Sequence, residues 1–359
     1  MTTSTHTPPN ISEAGYPSRV VGLFSGIYLL FMLAYLGLRI IFGSSVWWLA
    51  LLNAFAIYTF APLIILLPLT MLANRWRMAI RLGLLALLAV IWFGPFFQPA
   101  SVSSVRSPAI TVATFNAERA RGGFGSDVSI TDFIAWLDAH NVDILMLQET
   151  PADFTEPQYD ALRERFPHVY SQTTAEGGEL RRSLLSVFPL QEVTSGDHFL
   201  RALINFENQE VAIYDIHFDW PFRNQSRINI DTGSAWVNLM LKYDEMPRNQ
   251  QIDAFLETIA AERLPYIVGG DFNTSQHSII YGDLTVLMKD SFREASSGLG
   301  ATWPAEGFGV LVPPLLRIDY IWHDENFRAT ATTIGPRLGS DHFPYLATLV
   351  MRAVPPSST

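Results

Sequence analysis

The chain has 359 residues, in which 24 Lys and Arg face 34 Asp and Glu for a formal net charge of −10, and it contains no cysteine. The lack of thiols excludes disulfides and thiolate metal sites, and a chain this long buries a large core without them. Charge is unevenly spread: from Glu13 to Glu118 there is no acidic residue between and only six arginines, so the part beyond Arg106 holds 18 Lys and Arg against 33 Asp and Glu, a formal −15.

Residues 1–18, rich in Thr, Ser and Pro without periodicity, read as a disordered tail. Residues 20–41 are an apolar run of 22 broken only by Arg39, long enough to cross a hydrocarbon core of roughly 30 Å and too long for a cleaved signal peptide. A second apolar stretch spans 47–72, with Trp47 and Trp48 as interfacial anchors and Pro62 and Pro68 as kinks, and a third spans 80–97. Residues 19–98 are therefore expected to form a membrane domain with three transmembrane helices. Arg19, Arg75, Arg77 and Arg81 on one side against Arg39 and Arg106 on the other place the tail and second loop inside. With three spans, everything after residue 100 then lies outside the cytoplasm or in a lumen, in a multi-pass integral membrane protein.

A Ser/Pro/Val linker, 99–108, leads to an acidic globular domain over 109–352, and 353–359 form a second disordered tail. The domain opens with a β-prone run at 109–115 that ends at Asn116. A helix is predicted at 130–140, with Ile130, Phe133, Ile134 and Leu137 on one face and Thr131 or Ser129 as cap. A strand at 143–147 runs into Gln148 and Glu149, a helix follows at 158–166, and strands follow at 184–188, 203–206 and 211–216, the last ending at His217. A helix at 248–263 with Ile252, Phe255, Leu256 and Ile259 inward feeds a strand at 266–268, and Gly269 and Gly270 then present Asp271 and Asn273 at a sheet rim. A strand at 317–322 carries Asp319, and Ser340, Asp341 and His342 precede a terminal strand at 345–350. Strands outnumber helices and the connections are too irregular for a βαβ series, so the expected class is α+β, two packed sheets with helices outside.

Polar groups thus stand at five strand ends: Asn116, Glu149, His217, Asp271 with Asn273, and Asp341 with His342, while Asp319 lies inside a sixth strand. Gathered on one rim, they offer carboxylate and amide oxygens to a hard cation such as Mg²⁺, and imidazoles for phosphate contact or proton transfer. There is no H-E-x-x-H pair, no Walker A loop and no G-x-S-x-G elbow.

The order Thr114-Phe115-Asn116, Leu147-Gln148-Glu149-Thr150, Ile216-His217, Gly270-Asp271-Phe272-Asn273, Arg317-Ile318-Asp319-Tyr320-Ile321 and Gly339-Ser340-Asp341-His342-Phe343-Pro344 resembles the endonuclease/exonuclease/phosphatase family, with its deoxyribonuclease I-like fold. The resemblance covers roughly residues 109–351. It implies a four-layered α/β sandwich and hydrolysis of a phosphoester with a divalent metal, Mg²⁺ or alternatively Mn²⁺. Position by position, it implies Glu149 as the principal metal ligand with Asn116 and Asp341 near the same cation. Asp271 would orient or deprotonate the attacking water, and Asn273 would hold the phosphate. His342, oriented by Asp319, would contact the phosphoryl oxygen, with His217 on the leaving-group side. The general base stays open between Asp271 and His342.

Thr150 and Pro151 follow Glu149 where abasic-site nucleases of this family carry a lysine, and the domain has only two lysines, Lys242 and Lys289. Duplex DNA would then need an arginine groove from Arg181, Arg182, Arg223 or Arg227. The loops Trp220-Pro221-Phe222 and Thr302-Trp303-Pro304, with Phe308 and residues 310–316, read as buried aromatics or as an apolar rim that meets lipid. The expected function is a membrane-anchored Mg²⁺-dependent phosphoesterase acting on a phospholipid or lipid-linked head group. The alternatives are an extracytoplasmic nuclease acting on DNA or RNA, and a non-catalytic membrane receptor for phosphorylated ligands. The sequence names no protein partner.

Overall fold

The computed structural model describes residues 15–98, 108–117, 130–150, 159–173, 181–222, 242–305 and 313–352. The two predicted tails fall wholly or largely outside these residues, as do most of the 99–108 linker, the Ser129 cap, Pro151, Arg223, Arg227, Phe308 and residues 310–312. By contacts the chain divides into two units, Met1–Gly43 with Phe55–Pro95, and Ser44–Ala54 with Phe96–Thr359.

The first unit holds helices α1 (Gly15–Phe42), α3 (Ala56–Thr59), α4 (Leu63–Leu72) and α5 (Trp76–Phe93). Two described stretches, Pro17–Phe42 and Trp76–Phe97, are long and apolar enough to cross a membrane. The second predicted span is instead a pair, Trp47–Ala54 and Ala56–Leu72, bent by 87°, so the count is two, or three if the pair is one span. The main bend falls at Phe55 rather than at the prolines: Tyr58 N–H bonds to the Phe55 carbonyl, while the Ala54 carbonyl accepts from Ser275 Oγ at 2.8 Å. Pro62 stands at the start of α4, and Pro68 is accommodated inside it.

In the second unit, helix α2 (Trp47–Ala54) joins a sandwich of two six-stranded sheets. The strands are β1 (Ala109–Asn116), β2 (Ile144–Thr150), β3 (His168–Thr173), β4 (Arg181–Ser186), β5 (Gln191–Ser195), β6 (Phe199–Phe206), β7 (Gln209–His217), β8 (Tyr266–Asp271), β9 (Lys289–Asp290), β10 (Asp319–His323), β11 (Phe327–Ile334) and β12 (Tyr345–Met351). The sheet orders are β11-β12-β1-β2-β4-β3 and β5-β6-β7-β8-β10-β9. Each sheet is antiparallel except for one central parallel pair, β1 with β2 and β7 with β8.

The period of two along each strand builds the layers. Ile110 and Val112, Ile144 and Met146, Val211 and Ile213, Ile267 and Ile321 meet between the sheets. Their neighbours Ala113, Phe115, Leu145 and Leu147 face outward onto α6 (Ile130–Ala139) and α7 (Asp160–Arg165) through Phe133, Leu137 and Leu162. On the other side, Ala212, Tyr214, Ile216 and Val268 meet Ile252, Phe255 and Ile259 of α8 (Met246–Ala261) and Ile280 and Leu284 of α9 (Ile280–Leu287). Helix, sheet, sheet and helix stack in that order, the deoxyribonuclease I-like arrangement. A last short helix, α10 (Ser291–Ala295), is capped by Asp290, whose Oδ1 accepts from Phe292 N at 3.0 Å.

Candidate active site

Four strands of the two parallel pairs run the same way within their pairs, and each ends in a polar residue: Asn116 on β1, the Gln148–Thr150 segment on β2, His217 on β7 and Asp271 on β8. The antiparallel neighbours contribute their starts. Asp319 opens β10 directly opposite Asp271, and Asp341 and His342 lie just before β12, whose Tyr345 pairs with Thr114. Strand parity aims the ends inward: Asn116 continues the Ile110 and Val112 row, Asp271 that of Ile267, and Asp319 that of Ile321. Gly269 allows the sheets to close here, since a Cβ on it would stand 2.5 Å from Met146 Sδ.

All eight residues expected from the sequence come together, joined by contacts no longer than 3.9 Å. Asn116 Nδ2 donates to Glu149 Oε1 at 3.3 Å and to Asp271 Oδ2 at 3.0 Å. Asp271 also accepts from Asn273 N at 2.8 Å and from Asn273 Nδ2 at 3.0 Å. His217 Nε2 is 3.6 Å from Glu149 and 3.9 Å from Asp271. His342 Nδ1 is 3.0 Å from Asp319 Oδ2, and its Nε2 stands 3.8 Å from Asp271 and 3.7 Å from Asp341. Ser340 Oγ donates to the Asn116 carbonyl at 2.7 Å and accepts from His342 N at 3.0 Å, tying the two segments together.

Two of these residues sit in left-handed backbone, Glu149 at φ 53° and Asn273 at φ 48°. The register of β2 against β4 shifts between Leu147 and Thr150, and this bulge puts Glu149 on the rim, where a regular strand would have turned it onto the helix-covered face. Strain of this kind costs on the order of 1–3 kcal/mol and persists where surrounding contacts fix it.

Burial and charge set the titrations. Burial, reinforced by the Asp319 charge against the opposing pull of His342, pushes Asp271 up to about 7. Burial opposes the charge on His342, but Asp319, Asp341 and Asp271 outweigh it and hold its pKa well above the usual value. Burial, with Arg182, His342 and His198 nearby, pushes His217 down to about 3, so that it is neutral at neutral pH. Glu149 is raised, mainly by burial and further by Asp341.

Three supporting groups escaped the sequence reading. Trp303 Nε1 donates to Asp341 Oδ2 at 2.9 Å, so the loop read as buried aromatics or an apolar rim also holds a site carboxylate. Arg248, 1 % exposed, donates to the Asn273 carbonyl at 2.5 Å and to Glu245 at 3.1 Å. Its signal was its place on the buried face of α8, in series with Ile252, Phe255 and Ile259. Gln148 donates to Asp215 Oδ1 at 2.6 Å beneath the rim, and burial holds Asp215 well above the usual carboxylate range. Arg182 does not line a groove: it is 1 % exposed and donates to the Gly196 and Asp197 carbonyls, drawn inward beside Asp215.

The donor set suits a hard cation. Carboxylates of Glu149, Asp271, Asp319 and Asp341 and the Asn116 amide converge, and Asp271, Asp319 and His342 each offer one ligand atom within 4.8 Å of the others, a group that can hold a metal.

The model of the Endonuclease/Exonuclease/phosphatase family matches residues 113–342, more than half of the chain and every residue of this cluster. The chain belongs to that family. Its members are phosphoesterase and nuclease hydrolases, typically metal-dependent. Among solved structures, the chain is similar to an endonuclease/exonuclease/phosphatase from Bacteroides vulgatus (18 % identity, 68 % of this chain and 100 % of that one, TM-score 0.49). It is also similar to an AP endonuclease from Archaeoglobus fulgidus (17 %, 66 % and 98 %, 0.48) and to TDP2 from C. elegans (18 %, 70 % and 76 %, 0.48). No curated protein matches.

Proposed function

We propose that this family member is a membrane-anchored, divalent-metal-dependent phosphoesterase that favours a phospholipid or lipid-linked head group over nucleic acid. The observation that carries the catalytic part is the convergence of Asn116, Glu149, His217, Asp271, Asn273, Asp319, Asp341 and His342 on one rim. Glu149, Asn116 and Asp341 would hold the cation, Mg²⁺ or Mn²⁺, leaving Asp319 to its hydrogen bond with His342. When bound, such a cation offsets phosphoryl charge and assists in-line attack by water.

The side chains divide the remaining work. Asp271, raised to about 7, would take the proton of the attacking water, and that shift supports it over His342 as the base. His342, kept cationic and aimed by Asp319, donates from Nε2 to a phosphoryl oxygen. The Asn273 amide, whose Nδ2 donates to Asp271 Oδ2 and to the Phe218 carbonyl and whose backbone carbonyl Arg248 fixes, would exchange one of these bonds for one to the same phosphoryl group. Neutral His217 stands at the leaving-group side.

Support for a lipid-linked substrate comes from the flank. Trp220 packs edge-to-face on Trp303 at 5.6 Å and lies 5.0 Å from Phe222, which meets the buried Tyr243 at 5.2 Å, an aromatic wall that reaches the site through the bond from Trp303 to Asp341. Arg182 is withdrawn from any groove, and the apolar helices would keep the site near a bilayer. The test is to assay the full chain, reconstituted in lipid nanodiscs, against phospholipid vesicles and plasmid DNA in one Mg²⁺ buffer. Head-group release lost in Glu149→Gln is expected. Rapid DNA nicking without lipid turnover would transfer the assignment to the nuclease reading.

A further inference from the structure

The chain passes between the two units at Gly43–Ser44, Ala54–Phe55 and Pro95–Phe96, and within unit two the residues at the last two junctions, Ala54 and Phe96, are bonded to the sandwich. Both points lie on one edge of the sandwich. Ser275, two residues past Asn273, donates to the Ala54 carbonyl at 2.8 Å. The Phe96 carbonyl accepts from Gly298 N at 2.6 Å and from Arg293 Nη1 at 3.2 Å, with the guanidinium 4.3 Å over the Phe96 ring and the His277 ring 5.5 Å away. These anchors flank β9, the edge strand of its sheet, and α9, which lies between Ser275 and β9 in the chain.

The same edge carries the exposed apolar side chains. Beyond Phe97, the described large apolar residues that stand exposed are Tyr170, Met246, Ile279, Val286 and Leu287, and the last three belong to α9 and its N-cap. Val286 is 78 % exposed. Helix α2, whose end is fixed by Ser275, adds Trp47 and Trp48, and Phe97 adds a further exposed ring. Apolar and indole side chains gathered where a chain leaves apolar helices match the headgroup region of a bilayer. Asp283 on α9 and Lys289 after it, both exposed, keep the contact shallow.

Building on the membrane-anchored reading above, we propose that this edge, α2 with Phe97 and α9, docks on the lipid surface rather than hanging from a free tether. The bonded turn then holds Asp271 and Asn273 close to the membrane plane, since two residues separate Asn273 from Ser275 by at most about 7 Å. Docking would restrict the site to phosphoesters presented at the bilayer.

The chain has no cysteine, so Val286→Cys supplies a single labelling position on a side chain whose exposure makes misfolding a minor concern. Thr194→Cys, on β5 at the opposite edge of the same sheet, is the control. Each full-length variant carries an environment-sensitive fluorophore and is reconstituted in phosphatidylcholine vesicles containing spin-labelled lipid. The expected result is blue-shifted emission at position 286, quenched several-fold more than at position 194. Equal quenching at the two positions would overturn docking. Glu149-dependent hydrolysis measured on the same vesicles reports separately on the function it builds on.

Discussion

At the scale of single residues, Trp303 shows how the site depends on groups that never touch the reacting atoms. Its indole N–H fixes Asp341, one of the carboxylates assigned to the cation. Trp303→Phe keeps the ring against Trp220 and removes only the donor, so it should raise the Mg²⁺ concentration for half-maximal activity about 10- to 100-fold with little change in thermal midpoint. A metal titration of the purified variant checks this. The eight rim residues were legible in the sequence because seven stand at or just beyond the ends of β-prone runs, in an order that a known family shares; Asp319 was read as lying inside its strand, which in the structure begins at Asp319 itself. Trp303 and Arg248 were not: a tryptophan beside proline and an arginine in a helix look like packing and surface until the contacts at Asp341 and Asn273 are seen. Arg182 misled for the complementary reason, since nothing local shows that a strand arginine turns inward toward Asp215.

Among the elements, the two central parallel pairs deliver the site, and the short segments on β9 and α10 hold its flank. Arg317, on the approach to β10, donates to Asp290 Oδ1 at 2.8 Å and also to Oδ2, Tyr281 adds a bond of 2.6 Å, and both charged side chains are almost wholly buried. Burial pushes Asp290 up, but Arg317 and Tyr281 outweigh it and hold its pKa below the usual value. A depressed carboxylate contributes stability that is complete above its unfolded pKa of about 4 and is lost as pH falls through the folded one. Asp290→Asn should therefore cost about 3–5 kcal/mol near neutrality, by stranding Arg317, and should flatten the loss of stability below about pH 4. Thermal melts of the full chain across pH check both effects. The central strands and the helices at 130–139 and 246–261 were readable from periodicity. β3, β5, β9 and β11 were not, being edge strands with little apolar alternation to mark them, and the short helix α9 was not either. The bend at Phe55 was also invisible, and the bond that the Ala54 carbonyl beside it accepts comes from a hydroxyl 221 residues away in sequence.

For the whole molecule, the acidic domain and the apolar, faintly basic N-terminal part differ sharply in composition. With the bent pair counted as one span, giving three, the arginine asymmetry predicts that the first tail and the Arg75–Arg81 loop lie inside and the catalytic unit outside. Protease added to intact cells or spheroplasts should remove the catalytic unit; full protection, with cleavage restored on lysis, would reverse the orientation. The central claim is that the rim is a metal-dependent phosphoesterase site rather than a receptor for phosphorylated ligands. Hydrolysis of bis(p-nitrophenyl) phosphate by the full chain, with Mg²⁺, with chelator and as Glu149→Gln, tests it most directly. Turnover should fall about 100-fold or more both on chelation and in the variant. Turnover that persists in chelator, or that is unchanged in Glu149→Gln, would contradict it.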